Sequence, residues 1–390
     1  MINNIPFHRS TINSPINDIF EESINNSWLT TGPKVKEFED LLSHYLESKH
    51  VICLNSCTAA LHLGLAAINL KKSDKFIAPS YTFVASIEAG EYLNATPILV
   101  DSCPNTFNID LNQVESILKK DKKSTIKSII PVHFAGQAVD LKEIYYFADK
   151  YGVFILEDAA HSLETVSNVG KVGNTNYATA FSFYANKNIT TAGEGGALAT
   201  NDDVIADKVK KLSLHGMDKD GWKRFRNDGK WGYDVSMLGY KYNMTDISAS
   251  YGLDQFKKIN EWHDKRCFIA NFYSQKIGSI EGIKLPKFLM GEKHAWHLFI
   301  IQILPEFWKI NRNQIIEKLN KLKIGTSVHY IPVHMHSYYK SKYNFKDSDF
   351  PNSKILSETV ISLPIYPDLK LEELNYIVEM FKILWIDFKK

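Results

Sequence analysis

From about residue 50, short apolar runs alternate with stretches of helical character. "KHVICLNS" (49–56) reads as a strand, and "CTAALHLGLAAINL" (57–70), rich in alanine and leucine, reads as a helix. "DKFIAPS" (74–80) predicts a second strand, "TFVASIEAGEYLN" (82–94) a helix and "TPILVD" (96–101) a third strand, giving the order βαβαβ. Strands at "IKSIIPVHF" (126–134) and "GVFILED" (152–158) follow, with the helical "LKEIYYFADKYG" (141–152) between them. This alternation predicts an α/β fold, a mostly parallel sheet with helices on both faces. Ligands in such sheets bind where strands end and helices begin.

The stretch 244–278 reads as one long helix, after which the pattern changes. Strand-like "AWHLFIIQIL" (295–304) and "GTSVHYIPV" (325–333) alternate with helices at "RNQIIEKLNKLK" (312–323) and "LEELNYIVEMFKILW" (371–385), as expected of a smaller α+β domain. The boundary is placed near residue 255, giving a large domain over 1–255 and a small one over 256–390. There is no internal repeat.

Composition narrows the function classes. The 390 residues are 44% hydrophobic and 23% charged with a net charge of +2, so no polyelectrolyte attraction to nucleic acid is expected. No stretch approaches a membrane-spanning length and the N-terminus lacks a signal-peptide pattern, so a cytoplasmic location is expected by default. Cys53, Cys57, Cys103 and Cys267 show no C-x-x-C spacing and read as free thiols.

Candidate chemistry centres on Lys187 in "FSFYANKNITTAGEGGALAT" (181–200), the sole charge between Lys171 and Glu194. Burying an unpaired ammonium is costly, so such a lysine either snorkels to water or becomes a reactive amine of depressed pKa. Three strand ends add complementary groups. "LNSCTAAL" opens a helix whose free N–H groups suit an anion, or is simply capped by Ser56 or Thr58. "FILEDAAH" supplies Glu157, Asp158 and His161, for a metal, a cap or a protonated ring nitrogen. "PSYTFVAS" supplies Tyr81 and Phe83, for stacking or for the core. Together the four pieces meet the needs of pyridoxal phosphate: an anion site, a stacking face, a carboxylate and an amine.

In order along the chain, "WLTTGPKVKEFE", "NSCTAALHLGLAA", "APSYTFVAS", "PVHFAGQAVD", "EDAAHSL", "FSFYANKNITTAGEGGALATND", "HGMDKDGWKRF", "LGYKYNMTDI" and "LPIYP" resemble the DegT-type sugar aminotransferases. The resemblance runs from about residue 25 to 370. It implies a fold-type I enzyme that binds pyridoxal phosphate and transfers an amino group from glutamate to a nucleotide-linked keto sugar, in amino-sugar and surface-polysaccharide synthesis such as that of lipopolysaccharide. By position it makes Lys187 the Schiff-base lysine and general acid–base, and Asp158 the partner of the pyridine nitrogen. His161 then lies near the ring, Phe83 stacks on it, and Ser182 with the backbone of Cys57 and Thr58 holds the phosphate. His329, Tyr330 and Thr31 are implied to approach the substrate, and ping-pong kinetics follow.

Two departures from the family pattern matter. In "GYKYN", Lys241 replaces an asparagine lent to the neighbouring subunit's phosphate, and Asn243 replaces an arginine. This variant resembles the branch that aminates a 4-keto pentose on UDP, and it implies a homodimer. Cys57 stands where many relatives have glycine, which matters only if its side chain points inward. The basic loop 215–233, with Lys223, Arg224, Arg226 and Lys230, either covers a nucleotide or faces water. His334 and His336 read as surface residues, and no metal site is expected.

Three other readings compete. Relatives acting as dehydratases carry histidine in place of the lysine, which Lys187 argues against. Amination at C3, or a cofactor-binding regulator without transaminase activity, stays open. An enzyme for free amino acids would dedicate an arginine to the carboxylate, and none of the five arginines lies in a recognisable clamp.

Overall fold

The computed structural model describes residues 4–25, 28–218, 233–288 and 292–390. Helices α1 (Ile16–Asn25) and α2 (Pro33–Leu46) precede β1 (His50–Leu54). Then α3 (Cys57–Ala67), β2 (Lys75–Pro79), α4 (Ala85–Glu91), β3 (Thr96–Val100), α5 (Leu111–Lys120), β4 (Ile126–Ile129), α6 (Leu141–Tyr151) and β5 (Phe154–Asp158) alternate as the pattern predicts. A small hairpin, β6 (Val166–Ser167) and β7 (Gly170–Lys171), leads to β8 (Ala178–Ser182), β9 (Gly196–Thr200) and α7 (Asp203–Ser213).

Seven strands form one sheet in the order β1-β9-β8-β5-β4-β2-β3. Only β9 runs against its neighbours, so the C-terminal ends of β1, β2, β5 and β8 share one edge. Strand alternation sets the layers. Ile52, Leu54, Leu156 and Leu198 face α3 and α7, whereas Val51, Cys53, Ala197 and Ala199 face α2 and α8 (Asp246–Phe256). Helix α3 is apolar nearly all round, and Leu61, Leu63 and Leu65 are completely buried. Each such leucine contributes roughly 1.5–3 kcal/mol, which anchors the helix and fixes where its N-terminus points.

Beyond α8 come α9 (Ile259–Lys276), β10 (Ile283–Lys284), β11 (Phe299–Ile303), α10 (Arg312–Lys321), α11 (Ser337–Tyr343), α12 (Pro351–Thr359), β12 (Val360–Leu363) and α13 (Leu371–Phe388). The antiparallel sheet β10-β11-β12 packs with α9, α10 and α13 around a second apolar cluster. The N-terminal segment joins it: Ile5 is buried there and exchanges backbone hydrogen bonds with Lys323 and Gly325.

Two expected elements differ. The long helix over 244–278 is two helices, α8 and α9, separated at Lys257 and Lys258. The break lets the chain leave one core for another: Ala249, Phe256 and Trp262 pack against the large sheet, Ile269, Tyr273 and Ile277 in the second cluster. "GTSVHYIPV" is not a strand; only Ser327 bridges to Ser362. Pro332 has no N–H for a ladder, and both His329 and Tyr330 border a cleft instead of pairing. All four cysteines are free. No described helix is long and apolar enough to cross a membrane.

Candidate active site

A cleft of about 500 Å³ opens along the shared edge of the large sheet. Its wall takes Ser56, Cys57 and Thr58 from the turn after β1, Phe83 from the turn after β2, Asp158 from the end of β5, and Ser182 and Lys187 from β8 and the loop after it. His161 comes from the loop after β5, and His329 and Tyr330 from the segment preceding α11. Ten of the residues singled out from sequence are thus brought together, from distant parts of the chain.

At the head of α3 the Ser56 hydroxyl accepts the Ala59 N–H at 3.1 Å, a conventional N-cap. The N–H groups of Cys57 and Thr58 belong to the first helical turn, which has no intrahelical acceptors to offer them. Strand β9 presses on this turn so closely that a Cβ at Gly196 would lie 2.4 Å from the Cys57 nitrogen. Cys57 touches the apolar cluster around α3 and also lines the cleft near Lys187 and Asp158, and burial, together with the Asp158 charge, pushes its thiol pKa up.

Alternation along β5 separates its two carboxylates. Glu157 is fully buried on the far side, accepting from Tyr145 at 2.6 Å and from His133 Nε2 at 2.9 Å. Asp158 faces the cleft, where Ser86 Oγ donates to Oδ2 at 2.6 Å and the Ala160 N–H donates to Oδ1 at 3.1 Å. Its donors are neutral, so its charge is not spent on a protein cation at hydrogen-bond distance.

Lys187 is half-buried as a residue, but its amine is desolvated enough to bring its pKa down to about 8, against the opposing pull of Cys57 and Asp158. The unfolded chain, with an ordinary lysine near 10.5, holds more protons than the native state between pH 8 and 10.5. The native state is therefore penalised fully below pH 8, and the penalty fades as pH rises to 10.5. Lys187→Met is expected to stabilise the cofactor-free protein by roughly 3 kcal/mol at pH 7, with the gain from this source gone by pH 10.5. Denaturant titrations of both proteins at the two pH values check this.

Three neutral histidines surround the amine. Burial and the Lys187 charge hold His161 well below its ordinary pKa and bring His329 to about 4. His161 Nδ1 accepts the Ala135 N–H at 3.2 Å, so its own proton sits on Nε2 and is donated to the Tyr330 oxygen at 3.0 Å. Tyr330 thereby keeps its hydroxyl hydrogen for another acceptor. Phe83 stands 59% exposed at the cleft wall, its ring 6.2 Å from that of Tyr330. A large apolar ring left open beside buried polar groups is suited to stacking on a flat ligand.

Other expectations land elsewhere. Thr31 and Lys241 are not part of the cleft wall. They share a surface chain in which Lys241 Nζ donates to Asn243 Oδ1 at 2.7 Å, Asn243 Nδ2 to Thr31 Oγ1 at 2.7 Å, and Thr31 to the Met244 carbonyl at 2.6 Å. His334 is not a surface residue but completely buried, bonded to Ser80 at 2.7 Å and stacked on Phe350, because α12 and its preceding turn cover it. His336 is half-buried. Lys223, Arg224, Arg226 and Lys230 lie outside the described residues. Sequence reasoning missed Ser86, and also His297, which lines the cleft. "AWHLFIIQIL" read simply as a strand; only the long-range contacts of His297 give it a role.

A model of the DegT/DnrJ/EryC1/StrS aminotransferase family matches residues 10–382. The chain belongs to that family. It is 39% identical over 359 residues to the spore coat polysaccharide biosynthesis protein SpsC of Bacillus subtilis, covering 92% of this chain and 91% of SpsC. Among solved structures it is similar to the sugar aminotransferase Spr1654 of Streptococcus pneumoniae in its PMP form, with a TM-score of 0.88, 31% identity and coverage of 99% of this chain and 98% of that one. The PLP form of the same protein gives a TM-score of 0.87 at 30% identity, covering 99% of each chain. PseC of Helicobacter pylori, an aminotransferase of pseudoaminic acid biosynthesis, gives 0.89 at 26% identity, covering 99% of this chain and 100% of PseC. The protein is therefore a fold-type I sugar aminotransferase dependent on pyridoxal phosphate.

Proposed function

We propose that this aminotransferase moves an amino group from glutamate to the C4 keto carbon of a nucleotide-linked sugar, for surface-polysaccharide synthesis, as a cytoplasmic homodimer. The observation that carries the reading is the pairing, in one cleft at the sheet edge, of the desolvated Lys187 amine with an Asp158 carboxylate bound by neutral donors only.

The donor set fits the cofactor. The first-turn N–H groups of Cys57 and Thr58, with Ser182, suit its phosphate, and the helix dipole of α3 adds to their pull. Cys57 lines the cleft beside those amides, its thiol kept neutral by burial and by the Asp158 charge. Phe83 offers the stacking face, Asp158 favours a proton on the pyridine nitrogen, and Lys187 offers the amine. When bound, pyridoxal phosphate supplies the electron sink that makes the donor's Cα–H acidic.

The remaining work belongs to the chain. With a pKa near 8, Lys187 Nζ takes up and returns a proton at neutral pH without a large driving-force penalty, the condition for general acid–base action. The Asp158 charge is fixed in place by Ser86 and Ala160 and needs no reorganisation during turnover. Tyr330, with its hydrogen free, and the neutral His329 can position substrate hydroxyls. Lys241 and Thr31, outside this cleft, would serve the neighbouring subunit. The second apolar cluster, built mostly from residues beyond 255, supports a division between residues 1–255, which would hold the cofactor, and 256–390, which would cover it.

The test is amino transfer from glutamate to UDP-linked 4-keto and 3-keto sugars, with products identified by mass spectrometry. Transfer to the 4-keto compound is expected. Transfer only to free keto acids would refute the sugar-nucleotide reading, and transfer only to the 3-keto compound would refute the regiochemistry.

A further inference from the structure

Asn188 follows Lys187 directly, and its amide is locked from behind. Its Nδ2 donates to both oxygens of the Glu164 carboxyl, at 2.9 and 3.0 Å, and to the carbonyl of Ala295 at 2.8 Å. The Ala295 carbonyl can only accept, so the amide cannot be turned round. Asn188 Oδ1 therefore faces His297 Nδ1, 3.3 Å away. That oxygen can only accept as well. The single proton of the neutral imidazole is thus on Nδ1, and the lone pair is on Nε2.

His297 is 5% exposed, and it borders the same cleft as Lys187. Its ring lies 4.4 Å from that of His161, which carries the opposite tautomer. His161 commits both nitrogens to the protein, one to Ala135 and one to Tyr330. His297 commits Nδ1 to Asn188, and its Nε2 belongs to the edge away from that bond.

We propose that His297 Nε2 is the hydrogen-bond acceptor for the Lys187 amine, and that Asn188 and Glu164 are positioning residues that hold the ring in its accepting tautomer. The inference rests on Lys187 being the reactive amine. The charged and titratable groups around Lys187 are Asp158, Cys57, His161, His297 and His329; those around His297 are Lys187, His161, Arg266 and His329. Burial and the nearby cations keep His297 neutral, so it accepts from the ammonium without competing for its proton. Each time Lys187 takes up a proton, the new charge meets a ready acceptor in a site where water is scarce, and Asp158 is left to the cofactor.

The test reads the lysine itself. In cofactor-free protein, the rate of Lys187 acylation by a water-soluble anhydride is followed against pH by peptide mass spectrometry in wild type, His297→Phe and His297→Gln. An acceptor for the ammonium raises the lysine pKa, so its removal in His297→Phe should lower the wild-type midpoint, near 8, by about one pH unit, a tenfold loss in proton affinity. His297→Gln, whose amide oxygen can accept, should restore most of it. An unchanged midpoint in His297→Phe, or a glutamine variant no different from phenylalanine, overturns the proposal. If the variants do not fold, the imidazole ¹⁵N shifts of wild type decide: protonation at Nδ1 of His297 is expected, and protonation at Nε2 overturns the inference. Whether Lys187 binds pyridoxal phosphate at all is read independently from the absorbance of the wild-type holoenzyme, so failure there refutes the catalytic reading and not the tautomer.

Discussion

Lys187→Ala is expected to fold normally and to lose amino transfer by more than about 10⁴-fold. General acid–base catalysis alone is worth roughly 10²–10⁴ in rate, and the same side chain also tethers the cofactor. Stability should not fall with activity. The amine is desolvated without an ionic partner at hydrogen-bond distance, so the native state bears its cost and gains when it is removed. Steady-state rates together with thermal unfolding of the cofactor-free protein separate the two effects: an inactive variant at least as stable as wild type is expected. A variant that keeps more than a few per cent of the rate would show that the proton is moved by another group.

Asp158→Asn is the second large effect, with an expected loss of roughly 10²–10³ in kcat, the range found when one preorganised electrostatic partner is removed from a site. The substitution is nearly isosteric. The Asn oxygen can accept from the Ala160 N–H, and the Ser86 hydroxyl can rotate to accept from the new amide, so stability should change little. The loss is electrostatic, because a neutral amide no longer favours a proton on the cofactor's ring nitrogen. A kcat within threefold of wild type would remove Asp158 from that role.

The legible part of this molecule is the part written in local pattern. Strands β1 to β5 are apolar runs bounded by polar or small residues, and their order alone places Ser56, Phe83 and Asp158 at one sheet edge. Strands β8 and β9, "ATAFS" and "GALAT", are built largely of small residues that carry weak strand preference, and they are recognisable only by the partners they pair with. The α8–α9 break has no glycine or proline at Lys257 and Lys258 to announce it; it exists because two cores must share one stretch of chain. Lys187 stood out in sequence through its isolation among uncharged residues, and the burial those neighbours provide is the physical cause of its lowered pKa. His297 and Glu164 could not be found in this way. Their meaning lies in hydrogen bonds spanning 109 and 24 residues to Asn188, which no window on the sequence connects. His334 misled for the converse reason: in a polar, histidine-rich stretch it looked solvated, yet Ser80 and Phe350 from remote segments enclose it.

The most direct measurement is the absorbance spectrum of the purified protein with pyridoxal phosphate, recorded before and after addition of glutamate, for wild type and Lys187→Ala. If Lys187 is the reactive amine, wild type shows the visible band of lysine-linked cofactor, glutamate converts it to the pyridoxamine phosphate spectrum, and the variant never forms the lysine-linked band. A wild-type protein without that band, or an alanine variant with the same band, would contradict the assignment of Lys187.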